Sequence, residues 1–308
     1  MKFYKSMLHS ILRAWGPGLR VLALLVPIMP LGPMLGIAEV WAAACERPAR
    51  IVYSMVPESE PREALAAFTP ILNDLRESLG IPVDTAVPSS YAAVVEGLMS
   101  GAIHVARLGP ASYIAARKAD PGLKAFATFS RKAGAFGGEG PFYHSLLIVR
   151  SGGRFSALRS LQGMRVALVD PDSTSGARLP RRLLPKTTGI SLDRYFRRVS
   201  YAGDHAQAAL AVLKQETDAA FVSSTQLSAL VEAGKASAQD FRVLWRSPPI
   251  PMDPFVYRDG LCEDIKAKIR NVFYRRDGRL PDAGLKSMDA TRILLLGDEA
   301  FDILRDVL

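Results

Sequence analysis

Three hydroxyl side chains, Ser173, Thr174 and Ser175, stand in a row before Gly176 in the run Val169-Asp-Pro-Asp-Ser-Thr-Ser-Gly176. One helix cap uses one hydroxyl, so a triple run suits a second task, donation to a tetrahedral oxyanion. A helix N-terminus adds unpaired backbone N–H groups and about +0.5 charge. Related turns occur at Pro88-Ser-Ser-Tyr91, at Leu108-Gly-Pro-Ala-Ser-Tyr113, which includes Ser112, and at Ala202-Gly-Asp-His205. Four such beginnings converging on one hollow would cage an anion without a metal. Gly176 reads as room for a ligand to approach the backbone. His205 is expected neutral, because a helix start disfavours an imidazolium. His144 enters a strand and reads either as a site residue or as a satisfied core histidine, and His104, inside a strand, reads as structural.

Positioning these turns requires alternating strands and helices. Arg50–Val56, Ile81–Val87, Ile103–Leu108 and Ala125–Phe129 read as strands, with helices at Pro61–Leu79, Tyr91–Met99 and Ala111–Lys118 between them. After the glycine-rich stretch 134–140 and the strand Tyr143–Arg150, a fresh alternation begins: strands Arg165–Val169, Arg198–Tyr201, Asp218–Val222 and Arg242–Arg246, helices Gly176–Lys186, Asp204–Lys214 and Thr225–Ala233. Helices Glu263–Phe273, Asp282–Ser287 and Glu299–Leu308 close the chain. The pattern predicts an α/β protein of two lobes, each a mostly parallel sheet flanked by helices, with one lobe inserted into the other and two strands crossing between them. The expected division is 45–146 with 248–308 for one lobe and 147–247 for the other. A cleft between such lobes is the default ligand site.

The 308 residues are 49% hydrophobic and 22% charged, which excludes a disordered chain and leaves room for two cores. The basic start, the apolar stretch from Val21 and Ala42-Ala43-Ala44 together read as a signal peptide over 1–44, hence export. Prolines 27, 30 and 33 argue against a permanent span. That leader holds four cations and one anion of a +9 total, so the remainder carries +6. Spread without a Lys/Arg block, this charge suits an anionic partner rather than nucleic acid. Two cysteines are too few for a zinc site or a disulfide framework. Cys45, directly after the alanines, leaves three readings open: lipidation, a free thiol, or a disulfide with Cys262.

Several motifs in series, Tyr91-Ala-Ala-Val-Val-Glu96, Leu108–Tyr113, Tyr143-His-Ser145, Val169–Gly176, Tyr201–His205 and Leu244-Trp-Arg-Ser-Pro-Pro-Ile-Pro-Met-Asp-Pro254, resemble the phosphate/phosphite/phosphonate substrate-binding proteins of ABC transporters over about residues 50–275. The resemblance implies a type II periplasmic binding protein that partners an inner-membrane ABC permease. It implies that Ser173 and Thr174 grip phosphorus oxygens, that His205 donates to the same group, and that Tyr91 and Tyr143 line the cleft. Ser112 and His144 are further candidates, and Asp253 matches an acidic site position. That acid would accept the O–H of a monoprotonated phosphorus acid or pair with an ammonium tail. Relatives that bind aminoalkylphosphonates carry a carboxylate near Ser223-Ser224, whereas here no acid occurs between Asp218 and Glu232. An ammonium would be left under-paired, which points to phosphite, phosphate or a small alkylphosphonate.

A monomer without metal or cofactor is expected, in the periplasm. A sensing subunit reporting to a membrane kinase would share the fold. Catalysis is disfavoured: the chain has no Gly-x-Ser-x-Gly elbow and no His-Glu-x-x-His pair. A nominal Ser173–His205–Asp253 triad is better read as a set of ligand contacts.

Overall fold

The computed structural model describes residues 45–58, 61–274, 285 and 289–305. The signal peptide expected over 1–44 and all but Leu285 of the helix expected over Asp282–Ser287 lie outside these residues.

Two sheets organise the chain. The first holds β1 (Ile51–Met55), β2 (Val83–Thr85), β3 (Val105–Arg107), β4 (Lys124–Arg131), β12 (Phe255–Tyr257) and β13 (Ala290–Leu295), in the order β13-β4-β12-β3-β1-β2. The second holds β6 (Ser145–Arg150), β7 (Arg165–Leu168), β8 (Arg198–Tyr201), β9 (Ala219–Ser223) and β10 (Phe241–Arg246), in the order β10-β6-β9-β7-β8. Between them lies an antiparallel ribbon of β5 (Phe142–Tyr143) and β11 (Ile250–Pro251). The chain leaves the first sheet through β5 and returns through β11, so the two-lobed reading with two crossover strands holds.

The expectation of mostly parallel sheets needs correction, because both are mixed. β1 pairs in parallel with β2 and β3, and β7 with β8 and β9, but β12, β4 and β13 in one sheet and β6 and β10 in the other run antiparallel to their neighbours. A strand that crosses from the other lobe enters its sheet from the cleft end, opposite to a strand delivered by a local strand–helix unit. β12 sits at the centre of the first sheet with all three residues buried, although the prolines before it masked its strand pattern.

Burial follows the strand period of two. In β6, Leu146 and Ile148 join the cluster of Ala208, Val212 and Leu227, while Leu147 and Val149 face that of Leu161, Leu184 and Phe196. Both faces are covered by helices, as an α/β sheet requires. The helix expected over Pro61–Leu79 is two, α1 (Pro61–Ala67) and α2 (Thr69–Leu79), with Pro70 in the first turn of α2. A proline has no N–H for the previous turn and so restarts the helix.

Cys45 is bonded to Cys262. That sulfur is consumed, so the structure selects the disulfide among the three sequence readings. The lipid anchor considered for Cys45 is thereby corrected, because it would need a thioether on the same atom. The bond closes a separation of 217 residues and ties the start of the described chain to the approach of α9 (Glu263–Tyr274). Serine at both cysteines is expected to lower unfolding free energy by about 2–5 kcal/mol. Urea denaturation of the parent and double variant under oxidising conditions measures this, and superimposable curves would remove the stapling role.

Candidate functional site

Four strand ends and helix starts meet between the two sheets, at a cavity of about 40 Å³. Its lining includes Tyr91, Tyr143, Ser173, Thr174, Ser175, His205 and Asp253 together. Seven of the nine residues singled out in the sequence therefore share one hollow. At roughly 10–15 Å³ per water in this measure, the space holds about three waters, the scale of a small tetrahedral ion.

The hydroxyl run begins a π-helical turn, Thr174–Arg178, that leads into α5 (Leu179–Thr188). Ser173 Oγ accepts from the Gly176 N–H at 3.1 Å and also hydrogen-bonds the Tyr91 hydroxyl. Thr174 Oγ1 accepts from the Ala111 N–H at 2.9 Å. Ala111 belongs to the first turn of α4 (Pro110–Ala119), whose cap residue, Gly109, has no side chain to offer. A hydroxyl from the second sheet's lobe thus caps a helix of the first. The Tyr143 hydroxyl, from the ribbon, hydrogen-bonds Thr174 and Ser175. Asp170 repeats the bridge between lobes, because its carboxylate accepts from the backbone N–H of Tyr91 at the start of α3 (Tyr91–Ser100). Gly176 has a different role from the one expected: a Cβ there would lie 2.5 Å from Val169 Cβ, so its smallness serves packing against the strand end.

His205 opens α7 (His205–Leu213), and its Nδ1 accepts from the Ser223 N–H at 3.0 Å. That bond fixes the tautomer and leaves Nε2–H as a donor. Burial pushes the imidazole pKa down to about 3, so it is neutral throughout the physiological range. Burial also pushes the phenols of Tyr91 and Tyr143 upward, keeping both as neutral hydroxyls.

Asp253, just before β12, is pushed up to about 6, chiefly by burial, with Arg107 pulling against the shift. Arg107 is the residue that sequence reasoning missed. It ends β3, is 7% exposed, lines the cavity and forms an ion pair with Glu58, itself a lining residue. Burial alone would lower its pKa, but Glu58, Tyr53 and Asp253 more than offset this and hold it charged. Arg107 Nε and the Tyr53 hydroxyl are buried without a hydrogen-bond partner. Arg131 also lines the hollow and pairs with Asp289 at 3.1 Å. Ser223, Thr225 and Gln226 complete the side where no acid occurs in the sequence.

Two candidates need correction. His144 lies outside this lining; its Nδ1 is 2.9 Å from the Ser247 carbonyl and its ring faces a neighbouring cavity beside the ribbon. Ser112 is buried, with its Oγ directed at the Asp172 carbonyl at 3.4 Å, and it too is outside the lining. His104 is structural as read, its Nδ1 accepting from the Val52 N–H at 3.1 Å. Among the described residues, no group of three or more His, Cys, Asp or Glu side chains could hold a metal ion.

The chain matches the family model of ABC-transporter phosphonate periplasmic substrate-binding proteins over residues 53–294. It is 29% identical over 245 residues to the phosphonates-binding periplasmic protein of Escherichia coli, covering 78% of this chain and 70% of that one. It is 25% identical over 255 residues to the phosphate-import protein PhnD of Mycolicibacterium smegmatis, covering 79% and 74%. Among solved structures, a binding-protein component of an ABC phosphonate transporter from Pseudomonas aeruginosa has a TM-score of 0.74 at 21% identity, covering 85% of this chain and 86% of that one. PhnD1 of Prochlorococcus marinus in complex with methylphosphonate has a TM-score of 0.72 at 16% identity, covering 85% and 97%. These structural likenesses establish the type II periplasmic binding protein fold.

Proposed function

The chain belongs to the periplasmic substrate-binding proteins of phosphonate ABC transporters, and on that premise we propose that its cleft captures a small phosphorus oxyanion lacking an amine: phosphite, phosphate or a short alkylphosphonate. Members of this family are binding proteins of importers, not enzymes, and work in the periplasm with a membrane permease. The observation that carries the ligand assignment is the convergence of Ser173, Thr174, Ser175 and His205 Nε2–H with the Arg107 guanidinium on one hollow of about 40 Å³. Hydroxyls, a neutral imidazole donor and a fixed cation suit an oxyanion. Asp253 suits the same ligand because a monoprotonated phosphorus acid has one O–H to give.

Two features argue against an amine tail. The side of the cavity formed by Ser223, Thr225 and Gln226 offers an ammonium no carboxylate. Asp253 already interacts electrostatically with Arg107, so an ammonium beside it would stand near a guanidinium. Isothermal titration with phosphite, phosphate, methylphosphonate and 2-aminoethylphosphonate tests the proposal. Amine-free ligands are expected to bind at least about tenfold more tightly, a difference of about 1.4 kcal/mol. Preference for the aminated ligand would overturn the ligand class, and silence from all four would overturn the site. Thermal midpoints should rise with ligand concentration, because the ligand binds only the folded chain.

A further inference from the structure

Arg131, a cation of the hollow's lining, ends β4 at the foot of a short strap that reaches across to the second sheet. Arg131 and Gly140 exchange both backbone hydrogen bonds, at 3.0 and 3.2 Å, so the two feet of the strap stand together beside the first sheet. Between them the chain turns back on itself, where the Gly134 N–H donates to the Gly137 carbonyl at 2.9 Å. That tip rests on α8 (Ser224–Glu232), the helix that follows β9. The Phe136 N–H donates to Ser228 Oγ at 3.0 Å, and Arg246 of β10 donates to the Phe136 carbonyl at 3.1 Å. The Phe136 ring is buried with Leu227, Leu230 and Phe241 in the core of the second sheet, edge-on to Phe241 at 6.3 Å between centroids. Besides the two ribbon strands, a third link thus joins the sheets.

The strap has little slack. Each leg, Arg131 to Gly134 and Gly137 to Gly140, spans three residue steps, at most roughly 11 Å when fully extended. A docked tip therefore limits where Arg131 can stand relative to the second sheet. That limit bears on the hollow, because the Arg131 guanidinium pairs with Asp289 at 3.1 Å while its charge also acts on Asp253. A cavity of about 250 Å³ lies between the strap and α8, so the hold on the second sheet is concentrated at the tip. Gly134 has no room there for a side chain, since a Cβ would lie 2.7 Å from Ser228 Cβ.

We propose that Phe136 is a positioning residue: seated in the core of the second sheet, it holds Arg131 where its guanidinium meets the captured oxyanion. This role presupposes oxyanion capture in the hollow, so titrations use whichever of phosphite, phosphate and methylphosphonate the parent binds. Phe136→Ala is expected to free the strap and raise Kd about tenfold, as the binding-competent fraction falls to about one tenth. Gly134→Ala removes no core side chain, yet its Cβ should push the tip off Ser228 with a similar loss. Phe136→Leu refills the socket and should bind within about threefold of the parent. Arg131→Gln should itself weaken binding about tenfold. Adding Phe136→Ala to it should cost less than about a further twofold, because the strap then has no cation to place. Trypsin reads docking without any ligand: cleavage after Lys132 is expected in Phe136→Ala and Gly134→Ala, while the parent and Phe136→Leu resist. A parent silent toward all three anions would overturn capture itself, and the role of Phe136 with it. A parent that binds while Gly134→Ala binds equally well, losses at Phe136 and Arg131 that multiply, or a strap that stays uncut in both alanine variants would overturn the positioning role alone.

Discussion

Thr174→Val is expected to lower affinity for the phosphorus oxyanion by about a hundredfold and to leave the two lobes less closed. Valine keeps the shape and removes one oxygen. That oxygen accepts the Ala111 N–H from the other lobe at 2.9 Å and also hydrogen-bonds the Tyr143 hydroxyl of the ribbon. Both lobes and their connection therefore meet at Thr174 Oγ1, inside a residue 2% exposed. Gly109 cannot replace the lost acceptor, so the α4 donor would be stranded in the closed form. An unsatisfied buried donor costs about 1–3 kcal/mol and a hydrogen bond to a charged ligand is worth about 1.5–3 kcal/mol. A combined effect near 3 kcal/mol corresponds to about two decades in Kd. Both terms act only on the closed, liganded state, so the open form should unfold almost as the parent does. Thr174→Ser keeps the oxygen and should bind within several-fold of the parent. Titration gives the affinities, and small-angle scattering with and without methylphosphonate gives the closure. A valine variant that binds and closes like the parent would remove Thr174 from both roles.

The hydroxyl run was legible because it exceeded what a single helix cap needs, and the structure divides its work: Ser173 caps its own turn, Thr174 caps the opposite lobe, and Ser175 meets the hinge tyrosine. His205 was legible for a related reason, although its neutrality comes chiefly from burial rather than from the helix dipole. Arg107 was not. A strand reading Val105-Ala106-Arg107 gives no sign that its arginine turns inward, since the partner, Glu58, lies 49 residues earlier. The alternation of strands and helices announced two lobes, but not which strands would run backwards, because direction at a crossover is set by where the chain re-enters. His144 and Ser112 lie outside the hollow for different reasons. His144 follows Tyr143 by one step of extended chain, which reverses the side a group faces, whereas Ser112 sits within the first turn of α4 with its Oγ directed at the Asp172 carbonyl.

Asp253→Asn is expected to abolish discrimination against sulfate and to flatten the pH dependence of stability. With its carboxyl pushed up to about 6 by burial, Asp253 is ionised at neutral pH and accepts the O–H of a monoprotonated phosphorus acid. Sulfate has no proton to give, so its oxygen would meet a carboxylate across a closed hollow. Below about pH 6 the parent's Asp253 brings its own proton, and sulfate affinity should rise as pH falls through that value. Asparagine presents an N–H₂ donor at every pH, so the variant should bind sulfate at least about tenfold more tightly than the parent at pH 7.5, following the general cost of an unpaired polar group. The sign for stability is set by the direction of the shift. A folded-state pKa raised above the ordinary aspartate value means that the folded chain binds the extra proton. The contribution is full below the ordinary value and is lost as pH rises through about 6. Ligand-free parent should therefore lose up to about 2 kcal/mol from this group between pH 4 and pH 7, discounted for the residue's partial exposure, and Asp253→Asn should not. Urea denaturation across that range reads the slope, and titration with sulfate and phosphite at pH 5 and 7.5 reads the selectivity. If the parent excludes sulfate equally at both pH values, then a proton on Asp253 is not what admits the anion, and the acid's place opposite Arg107 must serve the fold alone.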